Sequence, residues 1–470
     1  MSDLDGRTIA ELAALIGSKQ VSPVEVAEAS LRKVEETEPK LHSFITLTAD
    51  QAMAAAKQAE VEIAAGRYKG PLHGIPFVSK DLFWTKGVQT TSGSQADLGF
   101  LPTEDSMVVA RLQDAGAYSL GKTNMSEWAF SITGYNSYFG WSNNPWGLDR
   151  MPAGSSSGTG TAVAGGVAPM GLGTDTGGSI RAPAANCGLT GLKPTYGLVS
   201  RYGVTPLSWS LDHAGPLCHS AKDVALAMNA LAGHDPRDPY SAKREAVDHT
   251  RGLNDGVKGL RIGVPTDYVW DVMDPEMEAS VREAIAELGR LGAIIVDVSL
   301  PALEWASRMG GTLTSSEAAA YHGSRIRRDG HLYDQRTRMR IESGMFISAE
   351  TYHQTQRVRA MVGQKLAETF RNVDLLATPT MPMPALPQSV GVGVTEVGGK
   401  SLPSSALMTR LTQIFNVNGH PALSAPCGFS SDGLPLALQL VGRSFEDALV
   451  LRAAHAYQGA TDWHARRPVF

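Results

Sequence analysis

The sequence predicts an α/β fold, and three observations support this prediction. Residues 260–298 have the pattern of a strand, a helix and a second strand, which is a βαβ unit and therefore contains a parallel strand pair. The first residues have the apolar spacing of helices. A further succession of strands and a helix occupies residues 374–457. No segment has the composition of an interdomain linker, so we expect one domain over residues 1–470.

The N-terminal residues predict two or three helices. Apolar side chains recur at helical spacing near the start, at Ile9, Leu12, Leu15 and Ile16. The run 22–25, Ser-Pro-Val-Glu, is a capping box with proline at the first helical position. We expect residues 1–68 to form a helical segment that packs on the outside of the domain.

The composition of the middle of the chain indicates that the catalytic region lies there. The run from Gly74 to Asp81 predicts a short buried strand that ends in two charged residues. From Thr90 to Gly215, glycine, serine and threonine become frequent, and short apolar runs at 117–120 and 168–172 separate the glycine clusters. We therefore place the catalytic core at residues 71–215.

The remaining elements follow from similar signals. The βαβ unit consists of strand 260–264, a helix that Asp274 and Pro275 begin and Gly292 ends, and strand 294–298. The predicted later strands and helix are listed in chain order: 374–377, 422–425, 436–441 and helix 448–457. The proline-rich run 378–387 predicts a rigid loop.

Composition excludes several classes of protein. The 470 residues carry 42 Lys and Arg against 47 Asp and Glu, and the resulting net charge of −5 does not favour nucleic-acid binding. Three scattered cysteines predict neither a disulfide framework nor a zinc site. The N-terminal run lacks a signal-peptide pattern, and the glycine-rich stretch 153–178 lacks that of a membrane span. We expect a cytoplasmic protein without membrane contact.

Three separated segments together form a candidate catalytic set. They are Lys80 at a strand end, the serine-rich loop Gly154–Gly158, and the run 174–181, Thr-Asp-Thr-Gly-Gly-Ser-Ile-Arg. Consecutive glycines before a serine allow the main chain to approach a substrate and direct several N–H groups to one point, as an oxyanion hole requires. The loop 154–158 also matches the GxSxG nucleophile elbow, but a loop rather than a strand precedes it.

These segments resemble the amidase signature hydrolases. The resemblance extends over nearly the whole chain, and its most specific parts are residues 151–197 and 71–83. It implies one large mixed, twisted β-sheet between helical layers, and a catalytic set of Lys80, Ser155 in a cis peptide, and the nucleophile Ser179. Ala153 and Ser157 replace glycines that the family usually has in the loop around Ser155.

The resemblance also implies how these residues act. Ser155 would pass a proton between Ser179 and Lys80, and the main-chain N–H groups of Thr176, Gly177, Gly178 and Ser179 would form the oxyanion hole. No metal or organic cofactor is expected. Asp175 and Arg181 are interpreted as an ion pair or loop brace.

A lysine base must be neutral, which predicts the environment of Lys80. Burial can lower a lysine pKa by up to ~3–5 units, so Lys80 should be buried. The alternative is a surface pair with neighbouring Asp81, which would keep the lysine charged.

The substrate is less well defined by the sequence. In similar amidases the segment of Trp128, Ala129, Phe130 and Ser131 lines the acyl pocket, and further aromatic residues follow it: Tyr135, Tyr138, Phe139 and Trp141. This cluster favours an apolar or aryl substrate, although core packing explains it equally well.

We expect a serine-dependent hydrolase of small aliphatic or aryl amides; anilides, hydrazides, esters and carbamates are also compatible. One alternative is the glutamine-hydrolysing component of an aminoacyl-tRNA amidotransferase, its A subunit, which needs charged groups for the amino acid, whereas the segment 415–421 is neutral. A second is an esterase with Ser156 as nucleophile and His420 or His455 as base. A third is a binding subunit without catalytic activity. Similar proteins form homodimers, so a homodimer is possible here.

Overall fold

One large mixed sheet forms the centre of the molecule. The structure is a computed structural model that describes residues 4–470. Its strands, numbered along the chain, are β1 (Phe44–Leu47), β2 (Pro76–Lys80), β3 (Tyr118–Thr123), β4 (Met170–Asp175), β5 (Thr190–Lys193), β6 (His213–Cys218), β7 (Arg261–Pro265), β8 (Ile294–Val298), β9 (Leu375–Pro379), β10 (Val394–Val397), β11 (Lys400–Pro403), β12 (Ala422–Phe429) and β13 (Pro435–Gly442).

The sheet has eleven strands in the order β1-β3-β2-β4-β6-β5-β12-β13-β9-β7-β8. Neighbours are parallel in the pairs β2–β3, β2–β4, β7–β8 and β7–β9, and antiparallel in the others. β10 and β11 form a separate antiparallel hairpin. The expected mixed α/β sheet is therefore confirmed.

Helices surround this sheet. They are α1 (Ile9–Gly17), α2 (Pro23–Leu41), α3 (Ala49–Ala64), α4 (Met107–Asp114), α5 (Ser157–Ala164), α6 (Arg181–Asn186), α7 (Ala221–Leu231), α8 (Pro275–Arg290), α9 (Ala302–Asp329), α10 (Gln335–Gly344), α11 (Ala349–Thr369), α12 (Ser404–Thr409), α13 (Ile414–Val417) and α14 (Asp447–Ala460). Within the described residues, no helix is both long and apolar enough to cross a membrane.

The N-terminal segment contains the expected helices and one unexpected strand. The hydroxyls of Thr8 and Ser22 complete capping boxes at α1 and α2. Between α2 and α3, β1 pairs antiparallel with β3 and forms one edge of the sheet. The segment is thus partly built into the sheet, which differs from the expectation of helices packed only outside it.

The predicted βαβ unit is present at the opposite edge. β7 and β8 are parallel, and α8 connects them. The Asp274 carboxylate accepts hydrogen bonds from the main-chain N–H groups of Glu276 and Met277, so it caps α8.

The pairing of β2 with β4 positions the candidate site. The two strands are parallel, with Ser79 opposite Leu172, so their carboxyl ends lie at the same edge. Lys80 is the last residue of β2 and Asp175 the last of β4. The loop that contains Ser179 begins directly after Asp175, next to the end of β2.

Helices α9, α10 and α11 form a layer for which the sequence gives no prediction. α9 is 28 residues long and packs against both other helices. Residues of α9 and α10 line the cavity that contains Ser179.

Candidate active site

Lys80 is completely buried at the end of β2. Its Nζ atom donates hydrogen bonds to Ser155 Oγ at 2.7 Å and to Thr174 Oγ1 at 2.8 Å. Asp81 instead contacts Lys122, with 3.7 Å between Oδ1 and Nζ, and accepts hydrogen bonds from Thr91. The surface pair of Lys80 with Asp81 is therefore absent.

Burial has a large effect on Lys80. Desolvation lowers the pKa of Lys80 to about 7, although the negative charges of Asp212 and Asp175 act in the opposite direction. A substantial fraction of this lysine is neutral at pH 7, as a base requires.

The loop before α5 places Ser155. The peptide bond between Gly154 and Ser155 is cis. The Gly154 N–H donates to Ile132 O at 2.7 Å, and Ser155 O accepts from the Ser126 N–H at 3.2 Å. Ala153 has φ of +61°, a conformation that glycine adopts more easily.

A buried ion pair braces the loop after β4. Arg181 and Asp175 are both completely buried, and Arg181 donates to the Asp175 carboxylate through Nη2 at 2.9 Å and Nε at 3.0 Å. Arg181 also donates to Gln439 Oε1 and Asn416 Oδ1, each at 2.7 Å. The guanidinium thus joins the loop to β13 and α13, and the pair keeps the pKa of Asp175 well below its usual range.

The donors of the candidate oxyanion hole differ in one respect from the expectation. The Gly178 N–H donates to Asp175 Oδ1 at 2.7 Å and is not available to a substrate. In the described part of the chain, the N–H groups of Thr176, Gly177 and Ser179 make no hydrogen bond. Gly178 instead supplies conformation: its φ is +136°, and a Cβ atom there would lie 2.3 Å from Thr412 Oγ1.

Asp212 holds Thr176 in this loop. Thr176 Oγ1 donates to Asp212 Oδ1 at 2.5 Å, and Asp212 Oδ2 accepts from the N–H groups of Leu207 and Ser208, each at 2.9 Å. Asp212 is not recognisable from the sequence, because no short motif links it to residues 176–179.

A cavity of about 420 Å³ opens beside Ser179. Ser179, Thr176 and Gly177 contribute to its wall. Its apolar lining includes Phe130, Ile132, Leu207, Tyr268 and Leu402. No hydrogen bond of the Ser179 hydroxyl occurs among the described residues, so the candidate nucleophile faces the cavity without a protein partner.

Three of the four predicted substrate-binding residues line this cavity: Ala129, Phe130 and Ser131. Trp128 does not. Its indole is buried and packs against His322 and Tyr333, with ring centroids 4.7 and 5.6 Å away. Trp128 therefore packs in the core and is not part of the cavity wall.

The aromatic residues that follow lie elsewhere as well. The rings of Tyr135 and Trp141 pack together, as do those of Tyr138 and Phe139, and none of the four lines the cavity. They give no support to an aryl substrate.

Several charged residues of the cavity wall were not predicted from the sequence. They are Glu304 and Arg308 on α9, Arg340 on α10, and Arg410 after α12. One pattern in the sequence could have indicated that α9 borders a cavity. Polar and small residues recur at helical spacing along one face of this helix, at 304, 307, 308, 311 and 314.

The histidine-based esterase has no support in this geometry. Ser156 Oγ is 3.4 Å from Thr174 O, and no histidine bonds to it in the described residues. His420 Nδ1 is 3.1 Å from Gly442 O, and His455 Nε2 is 3.1 Å from Asn254 Oδ1.

Comparisons with known proteins agree with this arrangement. A family model described as Amidase matches residues 25–451. The A subunit of the glutamyl-tRNA(Gln) amidotransferase of Chloroflexus aurantiacus is 40% identical over 492 residues, covering 100% of this chain and 99% of the relative.

Solved structures are also similar. An inhibitor-bound vestigial protein complex, described as revealing the evolutionary origins of an s-triazine catabolic enzyme, matches with a TM-score of 0.93 and 34% identity, over 97% of this chain and 98% of the other. A bacterial aryl acylamidase of the amidase signature enzymes matches with a TM-score of 0.91 and 28% identity, over 100% of both chains.

Proposed function

Because this chain belongs to the amidase signature family of amide hydrolases, we propose that it cleaves an amide through an acyl-enzyme on Ser179. The observation that carries this proposal is the buried Lys80, whose Nζ lies 2.7 Å from Ser155 Oγ and whose pKa is about 7. A serine nucleophile needs a base, and a neutral lysine serves as one.

The first half of the reaction forms the acyl-enzyme. Ser179 Oγ attacks the carbonyl carbon while Ser155 accepts its proton and passes one to Lys80. The negative oxygen of the tetrahedral intermediate lies against the free N–H groups of Thr176, Gly177 and Ser179. The C–N bond then breaks, and the departing nitrogen receives the proton back through Ser155.

The second half releases the acid. Water attacks the ester carbonyl of acylated Ser179, the same relay removes its proton, and the Ser179–acyl bond breaks to leave a carboxylate and free Ser179. Esters, hydrazides, anilides and carbamates present the same kind of carbonyl, so the relay is compatible with them.

Glutamine hydrolysis, as part of an aminoacyl-tRNA amidotransferase, is a second candidate, and two observations favour it. A relative with such a name is 40% identical along the whole chain. The cavity also contains arginines that can bind a carboxylate. The neutral segment 415–421 is no argument against this candidate, because the charged side chains come from α9, α10 and the end of α12. The relative is by name one component of a larger enzyme, so a partner chain belongs to this candidate; a homodimer stays a prediction.

Labelling with a fluorophosphonate probe at pH 8 tests the nucleophile. Cleavage after Arg150 and Arg181 releases residues 151–181, which contain Ser155, Ser156, Ser157 and Ser179. We expect the adduct on Ser179, its loss in Ser179→Ala, and its retention in Ser156→Ala. An adduct on Ser156, or none in folded protein, contradicts the proposal, and the latter result favours a binding subunit without catalytic activity.

Substrate tests separate the two candidates. Ammonia release from glutamine is compared with hydrolysis of a neutral aliphatic amide and an anilide by the purified chain. Preference for glutamine supports the amidotransferase candidate, whereas preference for the neutral amides supports a stand-alone amidase.

A further inference from the structure

The cavity beside Ser179 carries excess positive charge. Its wall contains three arginines, Arg308, Arg340 and Arg410, and one carboxylate, Glu304. The carboxylate is already engaged, because Arg308 Nη2 donates to Glu304 Oε1 at 2.7 Å. Two arginines therefore remain without a carboxylate in the cavity wall.

Arg410 is held in place but is not satisfied. Its guanidinium lies over the ring of Tyr268 at 3.6 Å, and Nη2 donates to Tyr268 O at 2.9 Å. Asp271, an exposed residue, is 4.0 Å from Nη2. Among the described residues, neither Nε nor Nη1 of Arg410 has a hydrogen-bond acceptor, and Nε is buried. Unsatisfied buried donors are rare in native proteins.

Arg340 is similar. Its guanidinium lies over the Phe130 ring at 4.0 Å and donates to Phe130 O. No ion pair of Arg340 occurs in the described part of the chain. The rings of Phe130 and Tyr268 thus orient two guanidinium groups in one cavity.

Arg410 is also connected to the reacting loop. Thr412, two residues further along, donates from Oγ1 to Gly177 O at 2.7 Å. The same short segment therefore carries Arg410 and contacts the candidate oxyanion hole. Ser179 and Arg410 line the same cavity, so a substrate that extends across it can contact both.

We propose that Arg410 determines specificity by binding a carboxylate of the substrate, and that the substrate class is amides that carry a carboxylate but no ammonium group. The planar guanidinium matches a carboxylate with two parallel N–H···O bonds. An ammonium group has no free acid in the cavity wall and meets two positive charges instead. The inference rests on the proposed amide hydrolysis and distinguishes its substrate from free glutamine.

Three five-carbon amides test this specificity. Glutaramate carries a carboxylate, pentanamide is its neutral analogue, and glutamine adds an ammonium group. We expect kcat/KM for glutaramate to exceed that for pentanamide by about 10- to 100-fold, as bonds to a charged group predict. Glutamine should fall well below glutaramate. Added salt should raise the KM of glutaramate and leave that of pentanamide unchanged.

Variants assign the effect to Arg410. In Arg410→Gln the preference for glutaramate over pentanamide should largely disappear, and Arg410→Lys should retain part of it. Arg290→Gln is the matched control, because it removes an arginine that does not line the cavity, and it should keep the wild-type preference. Equal rates for glutaramate and pentanamide, or a preference for glutamine, would overturn the proposal.

Failure of the specificity inference can be distinguished from failure of the proposed function. If pentanamide is hydrolysed and Ser179 is labelled without a preference for glutaramate, only the specificity inference is wrong. If no amide is hydrolysed and Ser179 is not labelled, the catalytic proposal is wrong. The comparison of the three amides uses the wild-type protein, so it tests the substrate preference even if Arg410→Gln does not fold.

Discussion

At the ε-amino group of Lys80, two opposing effects determine the pKa. Desolvation favours the neutral amine, whereas Asp212 and Asp175 favour the ammonium form. Desolvation is the larger effect, and the resulting pKa of about 7 lies near the operating pH of most enzymes, where a general base is most effective.

The pH dependence of activity follows from this value. The base is neutral above its pKa, so kcat/KM for a neutral amide should rise with pH through about 7 and then level off. Lys80→Met should lower kcat by about 10²- to 10⁴-fold. Rates measured between pH 5 and pH 9 check both; a rate that is constant over this range in the wild type would rule out Lys80 as the base.

Asp212 should influence the same profile. Asp212→Asn removes a negative charge that stabilises protonated Lys80, so the pKa of the base falls further and the rise in activity moves to lower pH. The plateau should also fall, because Asp212 positions Thr176. The control Asp432→Asn removes an exposed charge, and its profile should match that of the wild type. An unmoved profile in Asp212→Asn would mean that only the hydrogen bonds of Asp212 matter.

At the scale of elements, the loop after β4 depends on the buried pair of Asp175 and Arg181. The pair is fully desolvated, and Arg181 also bonds to Gln439 and Asn416. Removal of one charge leaves the other buried without compensation, which is the costly way to break such a pair.

Arg181→Met should lower the free energy of unfolding by about 3–5 kcal/mol, measured by urea denaturation. Addition of Asp175→Asn should recover part of this loss, because the uncompensated charge is then removed. Arg290→Met breaks solvent-screened pairs with Glu283 and Glu287, and should change stability far less than Arg181→Met. Equal losses in both single variants would contradict the buried-pair interpretation.

Only some of the helices and strands could be predicted from the sequence. The βαβ unit, the strand before Lys80 and the capping box at Ser22 were predicted because their signals are local. The layer of α9 to α11 was missed. The roles of Trp128 and Phe130, two residues apart, could not be separated either, because they differ only in that Trp128 contacts His322 of α9 whereas Phe130 lines the cavity.

At the scale of the whole molecule, no covalent crosslink is present among the described cysteines. Cys187, Cys218 and Cys427 are free and buried, and burial raises the pKa of Cys427 to about 12. Disulfide bonds therefore make no contribution to stability among the described residues.

A thiol assay checks this state. A disulfide-exchange reagent should modify almost no thiol in the native protein and all three after unfolding, because both burial and the raised pKa suppress thiolate reactivity. A reducing agent should leave the melting temperature unchanged. Rapid modification of native protein, or a fall in melting temperature on reduction, would contradict the structure.

Long-range placement limited the prediction of the site. Lys80, Ser155 and Ser179 were recognisable as short motifs. Arg340 and Arg410 reach the cavity, and Asp212 reaches Thr176 in its wall, only through the packing of distant segments. The Gly178 N–H is occupied because it donates to the Asp175 carboxylate, and no sequence motif predicts this hydrogen bond.

The strand order has a consequence for how the protein is made. β5 ends at Lys193, yet one of its two neighbours in the sheet is β12, which begins at Ala422. The Arg181 guanidinium, which braces the loop after β4, likewise bonds to Asn416 and Gln439. On the ribosome, the earlier half of the sheet exposes an unpaired edge until the later strands have emerged, and loop closure over such a separation is slow. Synthesis therefore makes Ser179 long before it completes the loop brace, and unpaired strand edges at that stage favour aggregation.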